Sequence, residues 1–104
     1  MSPEALKAKN ARLREMRIHR RTDLSLDDLA RWLNPIVAGW INYYGRFYRS
    51  ALNPLLRRVN AYVRRWAGRK YKRLRTQKRY GRWLAGLVLR QPDLFAHWRL
   101  ERSY

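Results

Sequence analysis

Residues 54–75 read PLLRRVNAYVRRWAGRKYKRLR, and this stretch separates apolar from basic side chains with a helical period. At about 100° per residue, seven apolar side chains share one arc: Leu55, Leu56, Val59, Tyr62, Val63, Trp66 and Leu74. The opposite arc is basic and consists of Arg57, Arg58, Arg64, Arg65, Arg69, Lys72 and Arg75. We therefore predict one helix from Pro54 to Arg75, with one face for a hydrophobic core and the other for an anion.

Helix start signals also stand on the amino-terminal side of this stretch. Pro3, followed by an acidic residue, predicts a first helix that runs to about Arg20. Ser25 predicts the cap of a second helix, and the acidic pair Asp27-Asp28 would stabilise its positive end. The first half of the chain is therefore expected to be helical as well.

The second helix meets a proline, and this predicts a kink or a restart. Asn34 precedes Pro35, and a residue before proline avoids the α conformation, so Asn34 is expected to cap the continuation. Residues 36–48 are apolar around most of the helix circumference, which predicts the central, most buried helix. A shorter helix over about 79–89 and a helical turn over 94–98 follow. The predicted fold class is all-α, a compact bundle of three principal helices with short additional helices.

Length and charge limit the class of protein further. The chain has 104 residues, 25 Lys+Arg against 7 Asp+Glu, and a net charge of +18, so we expect one domain over 1–104 with a frayed tail over 99–104. From Leu29 to Pro92 the sequence contains no Asp or Glu. Since a soluble surface normally mixes both signs, this stretch is expected to lie against phosphate groups.

The chemistry that is missing from the sequence argues against an enzyme. There is no cysteine, the two histidines are far apart, and no glycine-rich phosphate loop or nucleophile motif is found. We expect no catalytic residue, no metal, no cofactor and no small-molecule substrate. No apolar run is long enough to span a membrane and no signal peptide follows Met1, so a cytoplasmic protein is expected.

The predicted binding residues follow the basic arc and its continuation. Phosphate contacts are expected from Arg57, Arg58, Arg64, Arg65, Arg69, Lys72, Arg73, Arg75, Lys78 and Arg79. Tyr71 and Tyr80 lie between these charges and are the candidates for stacking on unpaired bases. Trp40, Trp66 and Trp83 lie on apolar arcs and are expected to pack in the core.

Residues 33–44, read LNPIVAGWINYY, resemble the signature of the group II intron maturase-specific domain, also called domain X or the thumb. The residues that carry the motif are Asn34, Pro35, Gly39, Trp40, Asn42, Tyr43 and Tyr44. Residues 25–29, 56–66 and 94–98 extend the resemblance to nearly the whole chain. Ala38 stands where the family often has a basic residue, so no RNA contact is carried over to it. We interpret the motif as architectural, with close helix packing at Gly39.

The resemblance implies a helical thumb that binds group II intron RNA and helps the intron reach its splicing-active fold. The reverse-transcriptase active site of such proteins lies in another part of the polypeptide, and the present sequence has no Tyr-x-Asp-Asp motif. We therefore expect a free-standing or truncated piece of an intron-encoded reverse transcriptase, with the finger and palm part as a further partner.

Three alternatives stay open at this point. A general nucleic-acid-binding module of ribosomal-protein or DNA-binding type would explain the charge. A helix bundle on an anionic membrane surface would explain basic amphipathic helices that contain tryptophan. A decayed fragment would fold and have no function.

Overall fold

The structure is a computed structural model that describes the backbone of residues 3–47 and 49–101 and the side chains of residues 7–44, 50 and 52–98. Within those ranges every regular element is helical, which confirms the predicted all-α class. The α-helices are α1 (Pro3–Met16), α2 (Leu26–Phe47), α3 (Arg49–Lys70), α4 (Gln77–Arg90) and α5 (Ala96–Glu101), and 3-10 turns occupy Ile18–Arg20 and Lys72–Arg75. Four of the α-helices are long, one more than the three principal helices that were expected.

The first helix ends earlier than predicted. Arg17 takes a left-handed conformation with φ of 49°, which stops α1 at Met16 instead of Arg20. The following 3-10 turn buries Ile18 completely against α3. The chain breaks here because this isoleucine has to leave the direction of α1 in order to reach the core.

The loop between the 3-10 turn and α2 is fastened to the carboxyl-terminal end of α3. Trp66 is fully buried, and its Nε1–H donates to the carbonyl of Arg21 over 2.7 Å. Lys70 Nζ donates to the carbonyl of Thr22 over 2.8 Å. These two bonds tie residues 21 and 22 to α3 and so hold the loop before α2 in place.

The predicted cap of α2 is confirmed. The backbone N–H of Asp28 donates to Ser25 Oγ over 3.1 Å, and Asp28 Oδ2 accepts from the Ser25 N–H at 3.4 Å. This reciprocal pair is a capping box, with aspartate in the role that glutamate usually takes. The Ser25 hydroxyl and the Asp28 carboxylate each accept a hydrogen bond from a backbone N–H at the start of α2.

The predicted restart at Asn34-Pro35 is wrong, because α2 continues through Pro35. Asn34 instead contacts the end of the chain: its Nδ2 donates to the Leu94 carbonyl over 2.8 Å, and its Oδ1 accepts the N–H of Ala96 over 2.9 Å. An interior proline costs about 3 kcal/mol. Burial of Leu33 and Val37 on both sides of it, together with the two Asn34 bonds, offsets this cost.

The predicted continuous helix from Pro54 to Arg75 is also wrong at both ends. Helix α3 begins at Arg49, so Pro54 lies inside it, and it ends at Lys70. Tyr71 is extended, with φ of −121°, and the following 3-10 turn buries Leu74. The chain thus bends back over the end of α3 and then enters α4, whose cap is the side chain of Thr76.

The core is built mainly from α2 and α3, and every other element adds at least one buried side chain. Its largest buried side chains include Trp66, Tyr44 and Phe95, and Trp40 is also buried while Trp83 is half-buried. Gly39 does not make the expected close helix contact, since a Cβ placed there would meet no atom within 4 Å. Helix α5 extends through Glu101, and the rest of the predicted tail, residues 102–104, lies outside the described residues.

Candidate nucleic-acid interface

The basic residues of α3 and of the following 3-10 turn meet in one groove. Arg64, Arg65 and Arg69 come from α3, and Arg75 folds back over Gly68. We call this the basic groove: it has a volume of about 680 Å³ and is lined by His19, Ala61, Arg64, Arg65, Gly68, Arg69, Leu74 and Arg75. None of these side chains is acidic, so the arginines face each other without a carboxylate in the groove.

The bend after α3 forms this groove. Within a continued helix, Arg75 would have lain about 15 Å further along the axis than Arg65. In the structure, a Cβ added to Gly68 would lie 3.7 Å from Arg75 Cγ. The Nε–H of Arg75 also donates to the Gly68 carbonyl, with 3.4 Å between nitrogen and oxygen. The same feature that contradicts the predicted helix therefore concentrates charge at one place.

Aromatic contacts hold two of the guanidinium groups in place. Arg64 lies 5.4 Å from the ring centre of Tyr80, and Arg65 lies 5.8 Å from that of Tyr62. Such cation–π contacts are favourable and restrict long side chains that would otherwise lose freedom on binding. The groove is thus partly ordered before any anion binds.

Histidine 19 is a residue of the groove that the sequence analysis did not predict. Its ring stacks on Tyr62 at 5.7 Å between centres, and its Nδ1 is buried without a hydrogen-bond partner in the described part of the chain. The pKa of His19 is lowered first by burial and then by four neighbouring guanidinium groups: Arg20, Arg69, Arg65 and Arg17. No spacing signal joins residue 19 to residues 61–75, so only the fold brings them together.

The other predicted phosphate contacts are exposed but lie outside the basic groove. Arg58 shares a small hollow with Tyr62 and Arg65. Arg73 and Arg79 line a separate hollow beside the half-buried Trp83. Arg57 lies on the side of α3 that faces α4, while Lys72 and Lys78 are exposed on the turn and at the start of α4. The predicted set is therefore spread over several hollows, and only Arg64, Arg65, Arg69 and Arg75 line the basic groove.

The two tyrosines predicted to stack on bases differ in exposure. Tyr80 is only 9% exposed and packs against Trp83 and Arg64, so its ring is not an open stacking surface on the outside of the domain. Tyr71 is half-buried, with Trp66 at its edge and Lys70 5.9 Å from its ring centre. Of the two, Tyr71 keeps the more accessible ring.

The motif residues of α2 divide between core and surface. Trp40 and Tyr44 are buried and Asn34 binds the chain before α5, which agrees with an architectural role. Gly39 and Asn42 are exposed, and so is Pro35. Tyr43 is 63% exposed, with the edge of its ring against Tyr44.

Among residues of known placement, no three His, Cys, Asp or Glu side chains lie close enough to hold a metal ion. No helix in the described part of the chain is long and apolar enough to cross a membrane.

Fold and groove together define a small all-α domain with a concentrated arginine surface. Residues 6–84 match the group II intron, maturase-specific domain. This match covers most of the chain, and the chain therefore belongs to that family. No curated protein and no solved structure matches it.

Proposed function

We propose that this domain binds group II intron RNA through the basic groove and helps the intron reach its splicing-active fold. The observation that carries the proposal is the meeting of four arginines and His19 in a groove without acidic side chains, in a member of the maturase-specific family. Arginine forks bind phosphate oxygens in pairs, and a groove suits places where two strands of folded RNA approach each other.

The domain would act by neutralising phosphates, without a bond being made or broken in its own site. Folded RNA brings phosphates close together, and the repulsion between them opposes the compact state. A rigid positive surface lowers this cost where it binds. In a longer intron-encoded reverse transcriptase, a finger and palm part would be a second partner of this domain.

Salt dependence tests the electrostatic mechanism. If six to eight phosphates are contacted, log affinity falls with log salt with a slope of about −4 to −6, from about 0.7 per phosphate on single strands. Replacing Arg64, Arg65, Arg69 and Arg75 together with glutamine should reduce the slope by about 3. The control variant replaces four exposed arginines elsewhere with glutamine, Arg12, Arg14, Arg31 and Arg90, and loses the same charge.

Competition between RNAs tests the intron-specific part. The domain should bind a group II intron RNA more tightly than a structured RNA of equal length and unrelated sequence. Equal affinity for both would favour a general nucleic-acid-binding module. Equal weakening by the groove variant and the control variant would contradict the assignment of the site to the basic groove. Flotation with anionic vesicles in the absence of RNA would reveal a membrane-surface protein instead.

A further inference from the structure

A second cavity lies beside the basic groove, between α3, α4 and α5. We call it the aromatic cavity: it has a volume of about 500 Å³ and is lined by Arg57, Asn60, Ala61, Val63, Arg64, Tyr80, Leu84, Val88, Phe95, His97 and Trp98. Its volume lies in the range of small-molecule sites. Most of its wall is aromatic or aliphatic, so the cavity is built for a flat, apolar group.

The wall of the cavity also contains one buried polar pair. His97 is 1% exposed, and its Nε2 bonds to Asn60 Oδ1. An amide oxygen only accepts, so Nε2 carries the proton of the neutral ring and Nδ1 keeps its lone pair. Nδ1 has no partner in the described part of the chain. Nδ1 is itself buried, so a ligand in the cavity contacts other atoms of the His97 ring.

Charge identifies the kind of ligand that fits. Arg57 and Arg64 are exposed and both line the cavity, whereas no acidic side chain does. Arg64 and Ala61 also line the basic groove, so the two sites are neighbours on α3 with one arginine between them. A ligand that fills both has an aromatic group next to a phosphate. A lipid tail has no flat ring for the aromatic cavity, and an unmodified peptide has no phosphate for Arg64.

We propose that the aromatic cavity accepts one unpaired nucleobase of the bound RNA, while Arg64 binds a neighbouring phosphate. This inference rests on the proposed function and adds a base-binding site to it. Enzymes that flip bases likewise hold them between aromatic and apolar side chains.

The test compares adenosine 5′-monophosphate with ribose 5-phosphate on the full chain. Both carry the sugar and the phosphate, and only the first carries a base. The nucleotide should bind at least about 5-fold more tightly, the lower limit of what stacking of one base contributes. In NMR spectra, the methyl resonances of Leu84 and Val88 should shift with the nucleotide and stay in place with the sugar phosphate.

A matched pair of variants locates the base. Leu84 lines the cavity, and Leu89 on the same helix is 85% exposed. Leu84→Phe should fill the cavity and abolish the preference for the nucleotide, whereas Leu89→Phe should leave it unchanged. Circular dichroism establishes that Leu84→Phe is folded, and Val88→Phe replaces it if it is not. Equal binding of the two ligands by the wild type, or a preference that survives both cavity variants, would overturn the proposal.

The outcomes separate this inference from the proposed function. If the wild type prefers intron RNA and shows the expected salt slope but binds nucleotide and sugar phosphate equally, the base site is refuted and the proposed function stands. If the wild type prefers the nucleotide but does not distinguish intron RNA from unrelated RNA, the base site stands and the intron-specific function is refuted. A single-stranded oligoadenylate of about 12 nucleotides, displaced by adenosine 5′-monophosphate, links the cavity to RNA binding.

Discussion

Acid should destabilise this fold through a single buried histidine. Burial lowers the pKa of His97 from 6.5 to about 4, so the ring is neutral in the folded state at neutral pH. In the unfolded chain the same ring takes up a proton near pH 6.5. Because the unfolded state binds more protons below that pH, the free energy of unfolding falls as the pH falls. The contribution of His97 is complete above pH 6.5 and is lost progressively toward pH 4.

The size of this effect follows from the shift in pKa. A difference of about 2.5 pKa units is worth about 3.4 kcal/mol at 1.36 kcal/mol per unit. At pH 4.5 about 2.5 kcal/mol of this should be lost, since the folded ring is then still mostly neutral. For a domain of this size, each 1 kcal/mol corresponds to roughly 4 °C or more in Tm. The effect is therefore well within reach of thermal denaturation.

The assay compares the wild type with His97→Gln between pH 7.5 and 4.5. Glutamine keeps an N–H that can donate to Asn60, but it does not titrate. The variant should lose about 2.5 kcal/mol less than the wild type over this range. His19, whose pKa is also lowered, remains in both proteins and cancels in the difference. Parallel stability curves for the two proteins would refute the assignment of the acid sensitivity to His97.

Three further substitutions test how the fold is held together, each by denaturation at pH 7. Asn34→Ala removes both bonds to the chain around α5 and should cost about 2 kcal/mol, and a loss below about 0.5 kcal/mol would show that these bonds do not hold α5. Trp66→Phe removes the shorter of the two hydrogen bonds to the Arg21 carbonyl and leaves space around a fully buried ring, so it should cost about 1 kcal/mol or more, and an unchanged Tm would contradict the role of this bond. Gly39→Ala adds a methyl group in open space on a helix and should stabilise the fold by about 1 kcal/mol. A loss of stability would instead indicate the close helix contact that the sequence suggested.

Local signals in the sequence predicted the elements that depend on neighbouring residues. The Ser25 cap, the apolar arc of α3 and the burial of Trp40 and Trp66 follow from spacing alone. The match of residues 6–84 to the maturase-specific domain confirmed the family that the motif in residues 33–44 indicated. Each of these signals lies within a few turns of helix, where side-chain chemistry and helical period decide the structure.

Contacts between distant parts of the chain could not be predicted in this way. Pro35 and Pro54 read as helix starts, yet tertiary packing keeps both inside helices. The bend at Tyr71 sets Arg75 beside Gly68, and the 3-10 turn that follows it buries Leu74. His19 reaches the basic groove only through this packing. The charge on α3 was evident from the sequence, and the groove that concentrates it was not.

Crosslinking to RNA, followed by mass spectrometry of the attached peptides, tests the central claim most directly. The full chain is irradiated with a group II intron RNA at moderate salt, and the crosslinked residues are mapped. The account predicts that crosslinks cluster at the basic groove, on residues 61–75 and on His19. Crosslinks concentrated on the exposed face of α2 around Gly39 and Tyr43, with none at the groove, would contradict it.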